Sequence, residues 1–353
     1  MSVAGERLAV LTEGLFDDHH AKTAHGVIRY GTREVVSVVD SSQAGRTASE
    51  VVPFCEKPVP IVATIAEAVD LGADTMLIGI APTGGKLDPA LRSLVLEAFD
   101  RGLNIEAGLH TILGEDPEFS AAAERRGVTL RDLRLPPPDL GVPRGPNARA
   151  PGIRVVHSVG SDVAIGKKAV TVELDVAARA RGLRSVYVPT GQTGVAIAGW
   201  GMAVDHVLSD YVAGAAERLV DEGAERGELL FVEGQGSLFH PAYSAVTLGL
   251  LHGCSPDLLV LAHRADATHF EGYPDVALPS LSELIEGYEM VCRPLRPARV
   301  AAVALNTSRL SDDQARAAIA RTEDETGLPT DDLVRFGADR VLDAVLTAFE
   351  VPV

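Results

Sequence analysis

Along the chain, short apolar runs rich in β-branched residues alternate with longer segments whose apolar positions recur every three or four residues. In the first half the short runs are 7–11 (RLAVL), 34–40 (EVVSVVD), 75–80 (TMLIGI) and 103–109 (LNIEAGL). Their length and composition predict strands. Helical stretches lie between them, such as the one beginning PALRSLVLEAFDRG, which Asp88 is placed to cap and Pro89 to open. The alternation resumes in the second half. Strands are predicted at 153–159, 184–189, 228–233, 257–262 and 299–305, and helices at 167–181, 207–222, 280–290, 311–326 and 338–349. Between the halves, residues 134–152 hold six prolines and three glycines, which no regular element tolerates. The pattern predicts an α/β protein with two parallel-sheet domains, residues 1–133 and 153–353, joined by a Pro-rich linker over 134–152.

Composition narrows the class. A chain of 353 residues suits two domains, and a 46% hydrophobic content supplies cores that need no disulfides. Cys55, Cys254 and Cys292 form no CxxC pair, so a reducing, cytoplasmic setting is expected. The opening MSVAGERLAVL lacks the apolar core of a secretory signal, and no run is long enough to span a membrane. A net charge of −17 repels nucleic acid and anionic lipid, so the expected partner is a small molecule. The ten histidines make no HxH or HExxH spacing, so no metal is expected.

In parallel sheets, ligands bind beyond the carboxyl ends of the strands. In the second half those positions carry GSDVAIGKK (160–168), PTGQTG (189–194), EGQGSLFHP (233–241), AHRADATHFEG (262–272) and NTSRL (306–310). The first nearly spells a P-loop, which needs Gly, four residues, Gly-Lys and a hydroxyl. Gly166 and Lys167 fit, Gly160 sits one place early with Ser161 in its slot, and Lys168 replaces the hydroxyl. That hydroxyl ligates Mg²⁺ in P-loop NTPases. The loop therefore reads as one that holds a phosphate at a helix N-terminus without cleaving it. Lys167 itself reads as an exposed lysine leaving the turn, whose loss costs the fold little.

Gly160, Ser161, Asp162, Gly166, Lys167, Lys168, Thr190, Gln192 and Asn306 are the candidates for cofactor binding. Glu233, at a strand end, is a candidate base or Walker-B-like acid, or a carboxylate bonded to backbone N–H groups. His240 is a candidate proton shuttle, or a packed imidazole. Gln235, His263 and Arg264 could hold a substrate carboxylate or phosphate. In the first half Lys22 could do the same, or simply solvate a helix. Asp40 ends the second strand where a ribose-binding acid would stand, but no GxGxxG accompanies it. The turn at 79–88, with Lys86, is a second Gly-rich strand-to-helix junction.

Several strings resemble one family. AKTAHGVIRYG, VVDSSQAGR, LIGIAPTGGKL and GLNIEAGLH carry the resemblance in the first half. VGSDVAIGKK, PTGQTGVAIAGWG, VEGQGSLFHPAYSAVTLGLLHG, ALNTS and ETGLP carry it in the second. They resemble the bacterial D-glutamate N-acetyltransferases, long grouped only as a domain of unknown function. That family pairs an N-terminal Rossmann-like domain with a C-terminal P-loop NTPase-like one. Its phosphate loop reads G-T-D-C-x-x-G-K, and here Ser161 replaces the Thr and Val163 the Cys. The resemblance implies acetyl-CoA-dependent N-acetylation of D-glutamate or a related amino acid. Glu233 or His240 would act as base, and Arg264 or Lys22 would hold the substrate carboxylates. The Thr-Gly loop and the E-G-x-G turn are also similar to the dethiobiotin synthetase type, which implies the alternative of an ATP- and Mg-dependent ligase or kinase. A non-enzymatic nucleotide or CoA sensor is a third reading. The apolar SAVTLGLLHG suggests a homo-oligomer interface, or equally a buried helix.

Overall fold

The computed structural model describes residues 5–80, 87 and 89–350. Lys86 and the expected cap Asp88 lie outside the described residues. The chain divides into two compact units, Met1–Pro136 with Gly191–Ala203, and Pro137–Thr190 with Val204–Val353.

The first unit is built on six parallel strands, β1 (Arg7–Leu11), β2 (Glu34–Val39), β3 (Ile61–Val62), β4 (Thr75–Ile78), β5 (Asn104–Ala107) and β6 (Leu130–Asp132). Their order is β3-β2-β1-β4-β5-β6, the Rossmann order, with its reversal at β1. Val10, Leu11, Met76, Ile78 and Ile105 are fully buried from the strands, and Phe16, Ile28, Phe99 and Phe119 cover them. Glu106, on β5, is buried with Arg33. The Arg33 guanidinium donates to both Glu106 oxygens at 2.9 and 2.8 Å, and Arg131 Nε donates to Oε1 at 2.9 Å. Both arginines also bond Glu6.

Asp40 departs from the ribose-binding expectation. Its Oδ2 accepts from the Thr12 hydroxyl and the Phe16 N–H, and its Oδ1 accepts from the Ser42 N–H and hydroxyl. Both oxygens are consumed inside the unit and the residue is fully buried. It ties the turn after β1 to the end of β2.

The second unit holds β7 (Arg154–Gly160), β8 (Ser185–Val188), β9 (Leu229–Val232), β10 (Leu258–Arg264), β13 (Arg299–Asn306) and β14 (Thr330–Asp331). They run parallel in the order β14-β13-β10-β7-β9-β8. An antiparallel hairpin of β11 (His269–Phe270) and β12 (Tyr273–Ala277) follows β10. Because β9 enters between β7 and β8, the chain reverses direction across the sheet beside β7. That places the loop after β7 at the switch point. The two parallel six-stranded sheets are the Rossmann-like and P-loop-like α/β folds that the sequence predicts.

The long strands and most helices fall within a few residues of their predicted bounds. The helix expected at 207–222 instead spans Val212–Ala224, because 3₁₀ turns at Val204–His206 and Ser209–Tyr211 precede it. The apolar SAVTLGLLHG forms the helix Ser244–Cys254, with Leu250, Leu251, Gly253 and Cys254 buried. A Cβ added to Gly249 or Gly253 would collide with Val212 or Ala213, so this helix spends its apolarity against Val212–Ala224. Cys55, Cys254 and Cys292 are free and buried. Among the described residues no helix is long and apolar enough to cross a membrane.

Candidate functional site

β7 delivers the chain to residues 160–167, and the loop's shape is fixed from several sides. The Tyr288 hydroxyl donates to Gly160 O at 2.7 Å, and Ser161 N donates to Ala262 O at 3.0 Å, clamping the loop to β10. Asn306 Nδ2, from the end of β13, donates to Ile165 O at 3.0 Å. Gly166 is the N-cap of the helix Lys167–Ala180 at φ +109°, a conformation that strains any other residue. No side chain caps this helix. Its first-turn N–H groups have no intrahelical acceptor, and with the helix dipole they favour an anion.

Lys167 differs from its sequence reading. It is 6% exposed, not a solvated side chain leaving a turn. Its Nζ donates to Asp162 O at 2.6 Å. Burial pulls its pKa down to about 8, against the opposing pull of the Asp162 and Glu233 carboxylates. Lys168 is half-buried on the next position. The nearest hydroxyl in the helix, Thr171, is consumed by Ser158 Oγ and Lys167 O, both at 2.7 Å.

Two acids flank the lysine. Asp162 accepts from Val163 N at 2.7 Å and, from the hairpin, Glu271 N at 2.8 Å. Glu233, at the end of β9, is buried and receives the Tyr187 hydroxyl at 2.8 Å and Thr190 N at 3.2 Å on Oε2. Burial and Glu233 hold the Tyr187 pKa well above its ordinary value, so the phenol keeps its proton as a donor. Thr190 Oγ1 donates to Glu233 O and receives Gln235 Nε2 at 3.2 Å. Gly234 follows because any Cβ there would collide with Ser158 O. Thr190, Glu233 and Gln235 thus form one bonded group beside the loop.

His240 is fully enclosed by Tyr243, Phe270 and Tyr273, with ring centroids at 4.9, 5.5 and 5.4 Å. Its Nδ1 accepts from Ala242 N at 3.1 Å, which puts the proton on Nε2. Nε2 faces Glu271 O at 3.3 Å and Asp162 Oδ1 at 3.6 Å. His263 Nδ1 lies 2.9 Å from Ser161 Oγ. Burial, then Arg264, lowers the His263 pKa to about 4, leaving the ring neutral near pH 7. Arg264 is engaged by Asp266 at 3.0 Å and Glu271 at 3.7 Å. Lys22 and Gln192 lie in the first unit. Lys22 opens the helix Lys22–Tyr30 and is exposed, and Gln192 opens the helix Gln192–Ala198. These helices meet through Thr23 and Thr193, whose hydroxyls are 2.7 Å apart. Sequence reasoning missed Tyr187, inside the apolar strand Ser185–Val188, and Tyr288, on the buried face of the helix Leu281–Cys292. It also missed the Glu271 N–H, since backbone groups leave no sequence signal.

The chain as a whole is similar to known proteins. Residues 41–136 match a Rossmann-like domain of unknown function, DUF1611_N, and residues 143–342 match the P-loop domain DUF1611_C. A D-glutamate N-acetyltransferase from Tritonibacter scottomollicae is 37% identical over 284 residues, covering 80% of this chain and 84% of that protein. One from a Pseudoalteromonas species is 35% identical over 280 residues, covering 79% and 83%. The crystal structure of a DUF1611 family protein from Anabaena variabilis is 39% identical, with a TM-score of 0.90 over 97% of this chain and 100% of its own.

Proposed function

Since this chain belongs to the DUF1611 family, which includes the D-glutamate N-acetyltransferases, we propose that it transfers an acetyl group from acetyl-CoA to the amine of D-glutamate or a related amino acid. The observation that carries the reading is the uncapped helix start at Gly166-Lys167 without a magnesium-binding hydroxyl. Lys168 stands at the hydroxyl position, and Thr171 is already bonded to Ser158 and to the helix backbone. Such a loop suits the pyrophosphate or 3′-phosphate of coenzyme A, which must be held and not cleaved. Gly166, Lys167 and the first-turn N–H groups would hold it, with Asn306 and Ser161 shaping the loop.

In the reaction, the substrate ammonium gives up one proton, the freed amine nitrogen bonds to the acetyl carbon as the carbon–sulfur bond breaks, and the second proton lost from nitrogen goes to the departing sulfur to release a thiol. We assign proton acceptance to Glu233, the acid whose geometry Tyr187 and Thr190 fix. His240 has both ring nitrogens bonded internally and holds the Asp162 side of the loop as a positioning residue. The test is release of free thiol from acetyl-CoA in the presence of D-glutamate. Turnover with D-glutamate and its loss in Glu233→Gln are expected. No thiol release across a panel of D- and L-amino acids overturns the reading. Mg-ATP binding with phosphate release would favour the ligase or kinase in its place.

A further inference from the structure

Among the described residues of the second unit, two of the cavities are lined by residues outside the loop itself, and the fold distinguishes them. The larger, about 740 Å³, lies beside Arg299 and Val300 at the amino-terminal end of β13, the edge where parallel sheets do not build sites. The smaller, about 360 Å³, lies at the opposite edge, beyond the carboxyl end of β10. It falls in the size range of small-molecule sites. His263 lines it, and the same imidazole touches Ser161 of the phosphate loop at 2.9 Å.

The charges of this cavity are balanced. Arg321 and Glu325 both line it and stand four residues apart on the helix Asp312–Thr326. That spacing normally lets opposite charges pair across one turn. Here they do not close on each other. Glu325 Oε1 accepts from Leu281 N at 3.0 Å, and among the described residues Arg321 makes no ion pair. Thr322, between them on the helix, adds a hydroxyl to the lining. One guanidinium opposed by one carboxylate is too weakly cationic for a nucleotide's phosphates. The polar groups also make it unsuitable for a purely apolar ligand, which would leave them unpaired. A separated positive and negative group matches a molecule that carries both charges itself. We propose that this cavity binds a free α-amino acid as its zwitterion, with Arg321 taking the carboxylate and Glu325 the ammonium. His263 links the cavity to Ser161, so occupancy here is felt at the phosphate loop.

This inference stands apart from the acetyl-transfer reading, and its test separates the two. Full-length protein is titrated calorimetrically with D-glutamate, L-glutamate and glycine, alongside Arg321→Met and Glu325→Gln. Neither substituted side chain is buried or assigned to the phosphate loop, and a circular dichroism melt verifies folding. Losing one charge-assisted contact is expected to weaken amino-acid binding about 10- to 100-fold. Thiol release then distinguishes the sources of the ligand. A raised KM for the acceptor in Arg321→Met identifies the ligand as the acceptor. Lost binding of a non-acceptor amino acid, with acceptor KM unchanged, identifies an effector. Either outcome supports the site. Equal binding in wild type and both variants, or no binding by any probe, overturns it. Binding that depends on Arg321 without any thiol release would leave the cavity assignment standing while the acetyl-transfer reading fell.

Discussion

A lysine buried beside two carboxylates behaves differently from one in water, and Lys167 shows the consequence in two measurable ways. Its folded pKa of about 8 lies below the ordinary value of 10.5. Between those pH values the unfolded chain binds the extra proton and the folded chain does not. Stability contributed through this residue therefore rises as pH climbs from 8 towards 10.5. In urea melts at several pH values, wild type should gain stability relative to Lys167→Met across that window. A constant difference would show that the ammonium is solvated. The second consequence is for binding. Removing this charge should lower CoA affinity about 10- to 100-fold, the worth of a charge-assisted hydrogen bond. In the wild type, affinity should also weaken above pH 8 as the charge is lost. Calorimetry with CoA checks both. The sequence located Lys167 but not its burial, since exposure depends on Gly160 and Gly234 approaching the stem closely. Asp40 shows the same limit: its position after a strand suggested a ligand, but its partners Thr12 and Phe16 come from the turn after the first strand, far from it in sequence.

At the scale of elements, the strand Asn104–Ala107 depends on a buried charge cluster. Glu106 compensates both Arg33 and Arg131, and its side chain is 2% exposed. Glu106→Leu would leave Arg33 buried with only Glu6 opposing it. Breaking a buried pair from one side costs about 3–5 kcal/mol. The first unit should unfold at markedly lower denaturant, while the second unit's transition stays in place. An unchanged midpoint would mean that water reaches the cluster. This cluster was not legible in the sequence, because its members come from residues 6, 33, 106 and 131. What was legible follows from local periodicity. Long strands such as Arg299–Asn306 and capped helices such as Ser311 with Asp312–Thr326 announce themselves within one window. The two-residue strands Ile61–Val62 and Thr330–Asp331 do not, since their pairing is supplied by a neighbouring strand. The hairpin His269–Ala277 was hidden for a related reason. Its second strand is exposed throughout, so no apolar alternation marks it, yet its Glu271 N–H holds Asp162.

Across the whole molecule the net charge of −17 means that mild acidification relieves self-repulsion, which by itself would stabilise the folded state. Two imidazoles in the second unit act against that. His157 is fully buried on β7, with Nδ1 3.2 Å from Val232 O and Nε2 lacking any partner among the described residues. Burial lowers its pKa to about 4, as it does for His263. Between pH 6.5 and 4 the unfolded chain takes up a proton at each ring that the folded chain refuses. Stability is therefore lost as pH falls through that window, by about 1.4 kcal/mol per pH unit for each ring at its steepest. Asp175, whose pKa is raised by burial, works in the opposite direction, and it is common to wild type and variant. The difference between them isolates the imidazole. In denaturant melts at pH 6.5, 6.0, 5.5 and 5.0, His157→Leu should show a shallower loss of stability in the second unit than wild type. The two lines should diverge most below pH 6. Parallel lines would mean that His157 takes up its proton inside the folded strand, and the acid sensitivity of this unit would then belong to His263 and the phosphate loop it touches.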